Sequence, residues 1–328
     1  MLTYLLRRIA LALTVVLATL VASFLLFFAG PSDPAQAMCP EQRCSTDRLN
    51  QIRESLGMNR PLIAQFSEYF TGLFVGRDFQ VSGDTVQCSA PCLGLSFLTN
   101  RPVSEEIFSR FPATVLLTVG VVVVFLLVGV STGVLAATVR GTAADRMLVG
   151  GSQIFGSIPP YILLLLFALY TTRLYPIFPQ AGSLSDGVIQ FLPGLIAPWI
   201  ILGLITATGY TRYTRNSMIE TLSMDYVRTA RSKGISERKV VGKHALRAAL
   251  SPVLTILGLD VAALLSGTLI TERIFEIDGI GRRALAALGQ DDLPVIMGTV
   301  LVTAVIVVSM NLIVDIAYSF VDPRVRLS

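Results

Sequence analysis

The sequence predicts an all-α integral membrane protein with six transmembrane helices. Three observations carry that expectation. Hydrophobic residues make up 53% of the 328-residue chain and charged residues only 15%, where a soluble domain carries about 25% charged. Six apolar stretches reach the roughly 20 residues that a helix needs to cross a bilayer. Basic charge is also unevenly placed: all three lysines and the single histidine lie within Lys233–His244, and nine of the 26 basic residues fall between Arg212 and Arg247. The net charge of +4 thus understates a strong asymmetry between loops. No Lys/Arg stripe interleaved with aromatics points to nucleic acid.

The first span runs from about Leu5 to Phe28, and Arg7 and Arg8 near its start place the N-terminus inside. Ala35-Gln36-Ala37 resembles a signal-peptidase site. The apolar run is nevertheless longer than the about 7–15 residues of a signal h-region, so an uncleaved helix is expected. Residues 31–110 form an extracytoplasmic cap. From Gly30 to Arg110 the chain holds seven basic and nine acidic residues. Asp47–Leu56 and Pro61–Leu73 read as short amphipathic helices, and Val103–Phe108 as another leading into the membrane.

The second span covers about Pro112–Val139, and a short loop with Arg140, Asp145 and Arg146 follows. The third, Leu148–Leu169, contains Pro159-Pro160, which kinks a helix. An outer loop, Thr171–Gly187, leads to the fourth span at about Val188–Ala207. The basic loop, residues 212–248, comes next. The fifth span is about Ser251–Ile270, Thr271–Asp292 is an outer segment, and the sixth span is about Pro294–Tyr318. Residues 321–328 form a cytoplasmic tail. Both termini are then cytoplasmic, and every basic loop is inside except for Arg173.

All four cysteines, Cys39, Cys44, Cys88 and Cys92, lie in the outer cap, where an oxidising compartment permits disulfides. Four cysteines allow three pairings, and the spacing leaves local staples and longer links both open.

Within the basic loop, Asp225–Lys233 reads as a charged amphipathic helix that stops at Gly234. Ser236 is placed to cap a second helix carrying Val240, Val241, Ala245 and Leu246 on its apolar sides. Such a helix–Gly–helix suits a groove in a soluble partner. An orientation-setting loop held to anionic lipid is the alternative reading.

The string Asp225-Tyr226-Val227-Arg228-Thr229-Ala230-Arg231-Ser232-Lys233-Gly234, continued by His244-Ala245-Leu246-Arg247 to Pro252, resembles the EAA loop of ABC-importer permeases, in the form found in B-type subunits of dipeptide and oligopeptide importers. The resemblance extends over nearly the whole chain. It takes in Tyr4–Arg8, Leu56–Leu62 with Gln65-Phe66, Leu95-Ser96, Arg101–Val103, Arg110–Thr114, Thr271–Phe275 with Gly279–Gly281, Asn311–Asp315 and Asp322–Arg326. It implies a type I ABC-importer permease fold with an enlarged, cysteine-containing first outer loop over a five-helix core, residues 111–320, preceded by an N-terminal helix, residues 1–30. It also implies that residues Asp225, Arg228, Ala230, Arg231, Lys233, Gly234, His244 and Arg247 couple to an ATPase, with Ala230 packing closely in the ATPase cleft. Arg228 stands at the EAA glutamate position, Asp278 where a proline is usual, and Gln290-Asp291-Asp292 in place of an Arg-Asp pair. Gln80–Cys92 reads as an insertion.

Two carboxylates fall in spans. Asp260 is expected to face the bundle interior or a water-filled path, as a contact for cargo or as an interhelical hydrogen-bond partner. Asp315 resembles the family's closing motif and is expected to pair with Arg324 or an arginine of the basic loop. Ser131–Gly133, Gly150-Gly151 and Gly156 permit close helix approach.

The sequence contains no G-x-x-x-x-G-K-[ST] phosphate loop, no Ser-His-Asp arrangement of credible spacing and no inward metal-ligand cluster. No catalytic, metal or cofactor residue is therefore assigned, and the resemblance places ATP and magnesium in partner subunits. The expected function is the permease of an ATP-driven importer of short peptides in a bacterial inner membrane. Its expected partners are a homologous second permease, one or two ABC ATPases, an extracytoplasmic substrate-binding protein and membrane lipid. Nickel, glutathione or another small solute is the alternative cargo, and a scaffold or sensor that recruits a cytosolic protein is the alternative class.

Overall fold

The computed structural model describes residues 2–28, 35, 46, 49–50, 53, 59–81, 84–182 and 184–321. Among these, five helices are long and apolar enough to span a membrane, and a bent helix pair makes a sixth span if counted as one. Contacts divide the chain into two units: Met1–Pro112 with Asp278–Ser309, and Ala113–Ile277 with Met310–Ser328.

The first unit opens with α1, Leu2–Phe28, followed by α2, Leu62–Val75. A β-hairpin then pairs β1, Arg77–Val81, with β2, Asp84–Cys88, in antiparallel register from Arg77↔Cys88 to Val81↔Asp84. Cys88 is joined to Cys92 by a disulfide. The insertion expected over Gln80–Cys92 is thus half of a stapled hairpin. The unit takes in the start of α3 (Val103–Thr138), all of α11 (Ile280–Gly289) and the first part of α12 (Leu293–Val321). Its core gathers Leu20, Phe24 and Phe27 of α1 with Tyr69, Leu93, Ile107, Ile280 and Val295. Arg77 lies over the Tyr69 and Phe79 rings, 5.2 and 5.0 Å from their centroids. Burial pushes the Tyr69 phenol up to about 12.

A buried charge cluster holds four segments of this unit together. Arg283 of α11 meets Glu106 of α3 at 2.5 Å and Asp292 at 2.8 Å. Asp292 also accepts from Ser96 Oγ (2.6 Å) and the Phe97 N–H (3.0 Å). Burial lowers the guanidinium's proton affinity, but the two carboxylates outweigh it and the net shift is upward. Thr271–Asp292, expected as an outer segment, is therefore largely helical and contributes buried side chains. Asp292, from the Gln290-Asp291-Asp292 run, supplies a carboxylate to this cluster, and Asp278 meets Arg110 at 3.0 Å.

The second unit contains the rest of α3, α4 (Ala143–Ser157), α5 (Pro160–Ala168), a π-helical turn (Leu169–Leu174), α6 (Val188–Leu222), α7 (Asp225–Ser232), α8 (Glu237–Lys239), a second π-helical turn (Val240–Ala245), α9 (Leu246–Gly267) and α10 (Leu269–Ile274). The third span is broken rather than kinked: α4 and α5 meet at 87°. Ile158 precedes a proline and is extended at ψ 133°, as that position requires, and Pro160 opens α5. Thr142 caps α4 by accepting from the Asp145 N–H, while Asp145 accepts from the Gly141 N–H.

Helix α6 continues past the expected end of the fourth span to Leu222, so Arg212 and Arg215 lie on a helix. Arg215 grips Asp145 through two bonds of 2.7 Å, and the carboxylate neutralises it. Close packing of α3 on α6 needs small residues. A Cβ on Gly120 would lie 2.0 Å from the Trp199 ring, and one on Gly133 would lie 2.7 Å from Thr211 O. Gly156 meets Thr208, but Gly150 and Gly151, also expected at close approaches, have nothing within 4 Å. Glu272 of α10 is fully buried and accepts from Thr114 and Thr268 at 2.7 and 2.9 Å. Cys39, Cys44, most of the expected Asp47–Leu56 helix, the tail beyond 321 and the Asp315 side chain lie outside the described residues.

Candidate functional site

The loop between α6 and α9 is built around a helix stop. Within the eight residues of α7, Val227 and Ala230 are buried, one turn apart. They pack with Val240, Ile235 and Leu222. Arg228, Thr229, Arg231 and Ser232 are exposed, so the helix has an inward apolar edge and an outward basic face. Asp225 in the first turn complements the positive end of the helix and lies 3.8 Å from Arg228.

After Ser232 and Lys233 the chain turns at Gly234, at φ +73°. The Gly234 N–H donates to Arg231 O (2.9 Å), and the Ile235 N–H donates to Ala230 O (3.4 Å). This pair of bonds is a Schellman stop, and its usual apolar contact is present where Ile235 packs against the Ala230 cluster. Gly234 is needed for its backbone, since no atom within 4 Å crowds its Cβ position. Across the turn Arg231 clasps Glu237 through bonds of 2.6 and 3.1 Å, which raises the guanidinium's pKa. Tyr226 Oη donates to His244 O at 3.4 Å, tying α7 to the π turn.

Each residue given to coupling is thereby placed. Asp225, Arg228, Arg231, Lys233, Gly234 and Arg247 are exposed, and His244 is half-buried. Ala230 is buried within its own chain, on the side of α7 that packs against Val240 and Ile235. Val240 and Ala245 are likewise internal; Ala245 packs with Ala137, Met218 and Ala249. The second helix of the expected pair is only Glu237–Lys239 before the π turn feeds α9.

Within the spans, Asp260 of α9 accepts a hydrogen bond of 2.8 Å from Tyr210 Oη of α6. Tyr210 is buried and its ring lies 4.5 Å from that of Phe125. Tyr210 carries no local signal of this pairing, since its partner is 50 residues away. An open, largely apolar cavity of about 200 Å³ has Thr132, Ser152, Thr208 and Thr211 among its lining residues, and Asp260 is not one of them. It is smaller than the roughly 300–1,000 Å³ of pockets that enclose a drug-sized ligand. Among the described residues, no three His, Cys, Asp or Glu side chains form a group that could hold a metal ion.

Helices long and apolar enough to span a membrane, two of them joined through an exposed basic helix, define a multi-pass membrane protein. The sequence matches the family described as "Binding-protein-dependent transport system inner membrane component" over residues 129–327, and that family's N-terminal component over residues 1–118. The chain belongs to this family of ABC-importer permeases. It is 33% identical to the dipeptide transport system permease protein DppB of Escherichia coli K12 over 351 aligned residues, covering 99% of each chain. It is 35% identical to a putative peptide transport system permease protein of Brucella abortus, covering 98% of each. It is 34% identical to DppB of Alkalihalophilus pseudofirmus, covering 99% of this chain and 100% of that one.

Proposed function

We propose that this chain is the permease subunit through which an ATP-driven importer passes short peptides across a bacterial inner membrane. The observation that carries the reading is the end-to-end similarity to permeases named for dipeptide or peptide transport. The small cavity is consistent with a path that a homologous second permease completes. The exposed basic face of α7, with Arg228, Arg231, Lys233 and the Gly234 turn, is the proposed docking surface for one of one or two ABC ATPases, which would bind ATP and magnesium. His244 and Arg247 flank that surface. An extracytoplasmic binding protein would deliver cargo to the opposite side.

The placement of basic residues favours cytoplasmic termini, an outer cap over residues 31–110 and a five-helix core from 111. ATP binding would draw two coupling loops together and open the cavity outward, and hydrolysis would reset it. Asp260 is a proposed element of the path through its grip on Tyr210.

The test is uptake of labelled di- to pentapeptides into proteoliposomes containing the purified complex, its binding protein and ATP. ATP-dependent accumulation is expected. Tight coupling of ATPase activity with no peptide accumulation would overturn the peptide assignment, and failure to recover an ATPase would overturn the importer reading.

A further inference from the structure

Helix α2, Leu62–Val75, has three faces. Gln65, Tyr69 and Gly72 are buried against the protein. Ser67, Glu68 and Thr71 are exposed and polar, and Glu68 meets Arg60 at 3.0 Å. The third face is apolar. Ile63, Phe66, Phe70 and Phe74 recur at steps of three and four residues and form one stripe. Their rings run in series, Phe66–Phe70 stacked at 6.1 Å and Phe70–Phe74 edge-on at 5.3 Å. Ile63 is 84% and Phe74 69% exposed, which water would penalise.

What covers this stripe is indicated by where it starts. Phe66 meets Phe24 of α1 edge-on at 5.2 Å, and Phe24 lies one turn before the end of α1 at Phe28. In that last turn Leu26 is 77% exposed. Helix α2 therefore packs against α1 at the level where that membrane-spanning helix ends.

We propose that α2 lies in the plane of the membrane, with Ile63, Phe66, Phe70 and Phe74 in the headgroup–acyl boundary of the leaflet where α1 ends. Glu68 and Thr71 face water, and Tyr69 and Gly72 face the protein. The helix has no lysine or arginine, so binding rests on apolar burial rather than on anionic headgroups. The inference needs only that α1 spans the bilayer, and holds whichever cargo the permease carries.

The test places a tryptophan on the stripe, Phe74→Trp, in the full complex reconstituted with phosphatidylcholine brominated near the headgroup end of its chains. The parental protein supplies the Trp199 baseline, and Phe70→Trp repeats the measurement should the first variant fail to assemble. Blue-shifted added emission that brominated lipid largely quenches is expected, with Glu68→Trp, on the opposite side of the helix, unquenched. Red-shifted, unquenched emission would place the stripe in water. Blue-shifted but unquenched emission would place it under a protein subunit. Equal quenching at Glu68→Trp would remove the facial assignment. Each of these three results overturns the proposal.

Discussion

Replacing Arg283 by Met is expected to destabilise the unit that contains α1, α2 and α11. The Met stem retains much of the packing but removes two charge-assisted bonds, to Glu106 at 2.5 Å and Asp292 at 2.8 Å. Side-chain exposure is 10% for Arg283, 7% for Glu106 and 0% for Asp292, so solvent screens the cluster weakly. A hydrogen bond to a charged group contributes about 1.5–3 kcal/mol, so two contribute about 3–6. Removing one partner of a buried pair independently gives about 3–5 kcal/mol, because the charges left behind are unpaired. At about 2–4 °C per kcal/mol, the melting temperature should fall by roughly 6–20 °C. The assay is the fraction of monodisperse protein remaining after heating in detergent, read by size-exclusion chromatography. Glu106→Gln and Asp292→Asn, added to Arg283→Met, remove the stranded charges and should restore at least part of the loss. The reasoning fails if Arg283→Met melts within about 2 °C of the parent, or if the triple variant is no more stable than the single one.

Gly234→Ala should cost about 1 kcal/mol through its left-handed backbone alone, and Gly234→Leu little more, because the space beside it is open. If a partner packs there, Leu should depress peptide-stimulated ATPase activity well beyond Ala; equal effects would remove Gly234 from the contact. Peptide mapping without reductant should recover Cys88 linked to Cys92, and Cys88→Ser with Cys92→Ser should cost about 2 kcal/mol from the loop entropy of so short a staple. Recovery of Cys88 joined to Cys39 or Cys44 would refute the local pairing. Gly120→Val should prevent α3 from seating on Trp199 and abolish recovery of folded protein after detergent extraction. Normal yield would show that the two helices can separate at little cost.

Much of this architecture was legible because its signals are local. Span lengths and basic residues located the helices, and Gly234 announced a helix stop. Long-range pairing was not legible. Arg215 bonds Asp145 from seventy residues away, and nothing near either residue announces the pair. Glu106, Arg283 and Asp292 are separated by up to 186 positions, and nothing in their neighbourhoods marks them as a cluster. The hairpin is a different case. Phe79 and Val81 alternate before Ser82-Gly83, and Val86 and Cys88 alternate after it, which is a readable two-strand pattern. The burial of Ala230 was not legible either, because a small residue in an amphipathic helix suits a tight interface and tight internal packing equally well.

The loop has a mechanical consequence for the spans. Its small core, Val227, Ala230 and Val240 with Leu222, joins α7 to the end of α6 on one side and to the approach to α9 on the other. A displacement of α7 therefore acts on both helices. Tyr210 lies about 18 Å along α6 from Leu222, and Asp260 lies about 21 Å along α9 from Leu246, so the two arms are equal to within one helical turn. Their hydrogen bond closes the frame at its far end. Tyr210→Phe and Asp260→Asn should each loosen this frame, and Asp260→Leu more so, since it leaves a buried phenol without an acceptor, at about 1–3 kcal/mol. If the pair acts as a strut, the double variant Tyr210→Phe/Asp260→Asn should lower peptide-stimulated ATPase activity no further than either single change. If Asp260 instead touches cargo directly, Asp260→Asn should raise the peptide concentration needed for half-maximal uptake while Tyr210→Phe does not. Additive losses in ATPase activity with no shift in that concentration would refute both roles.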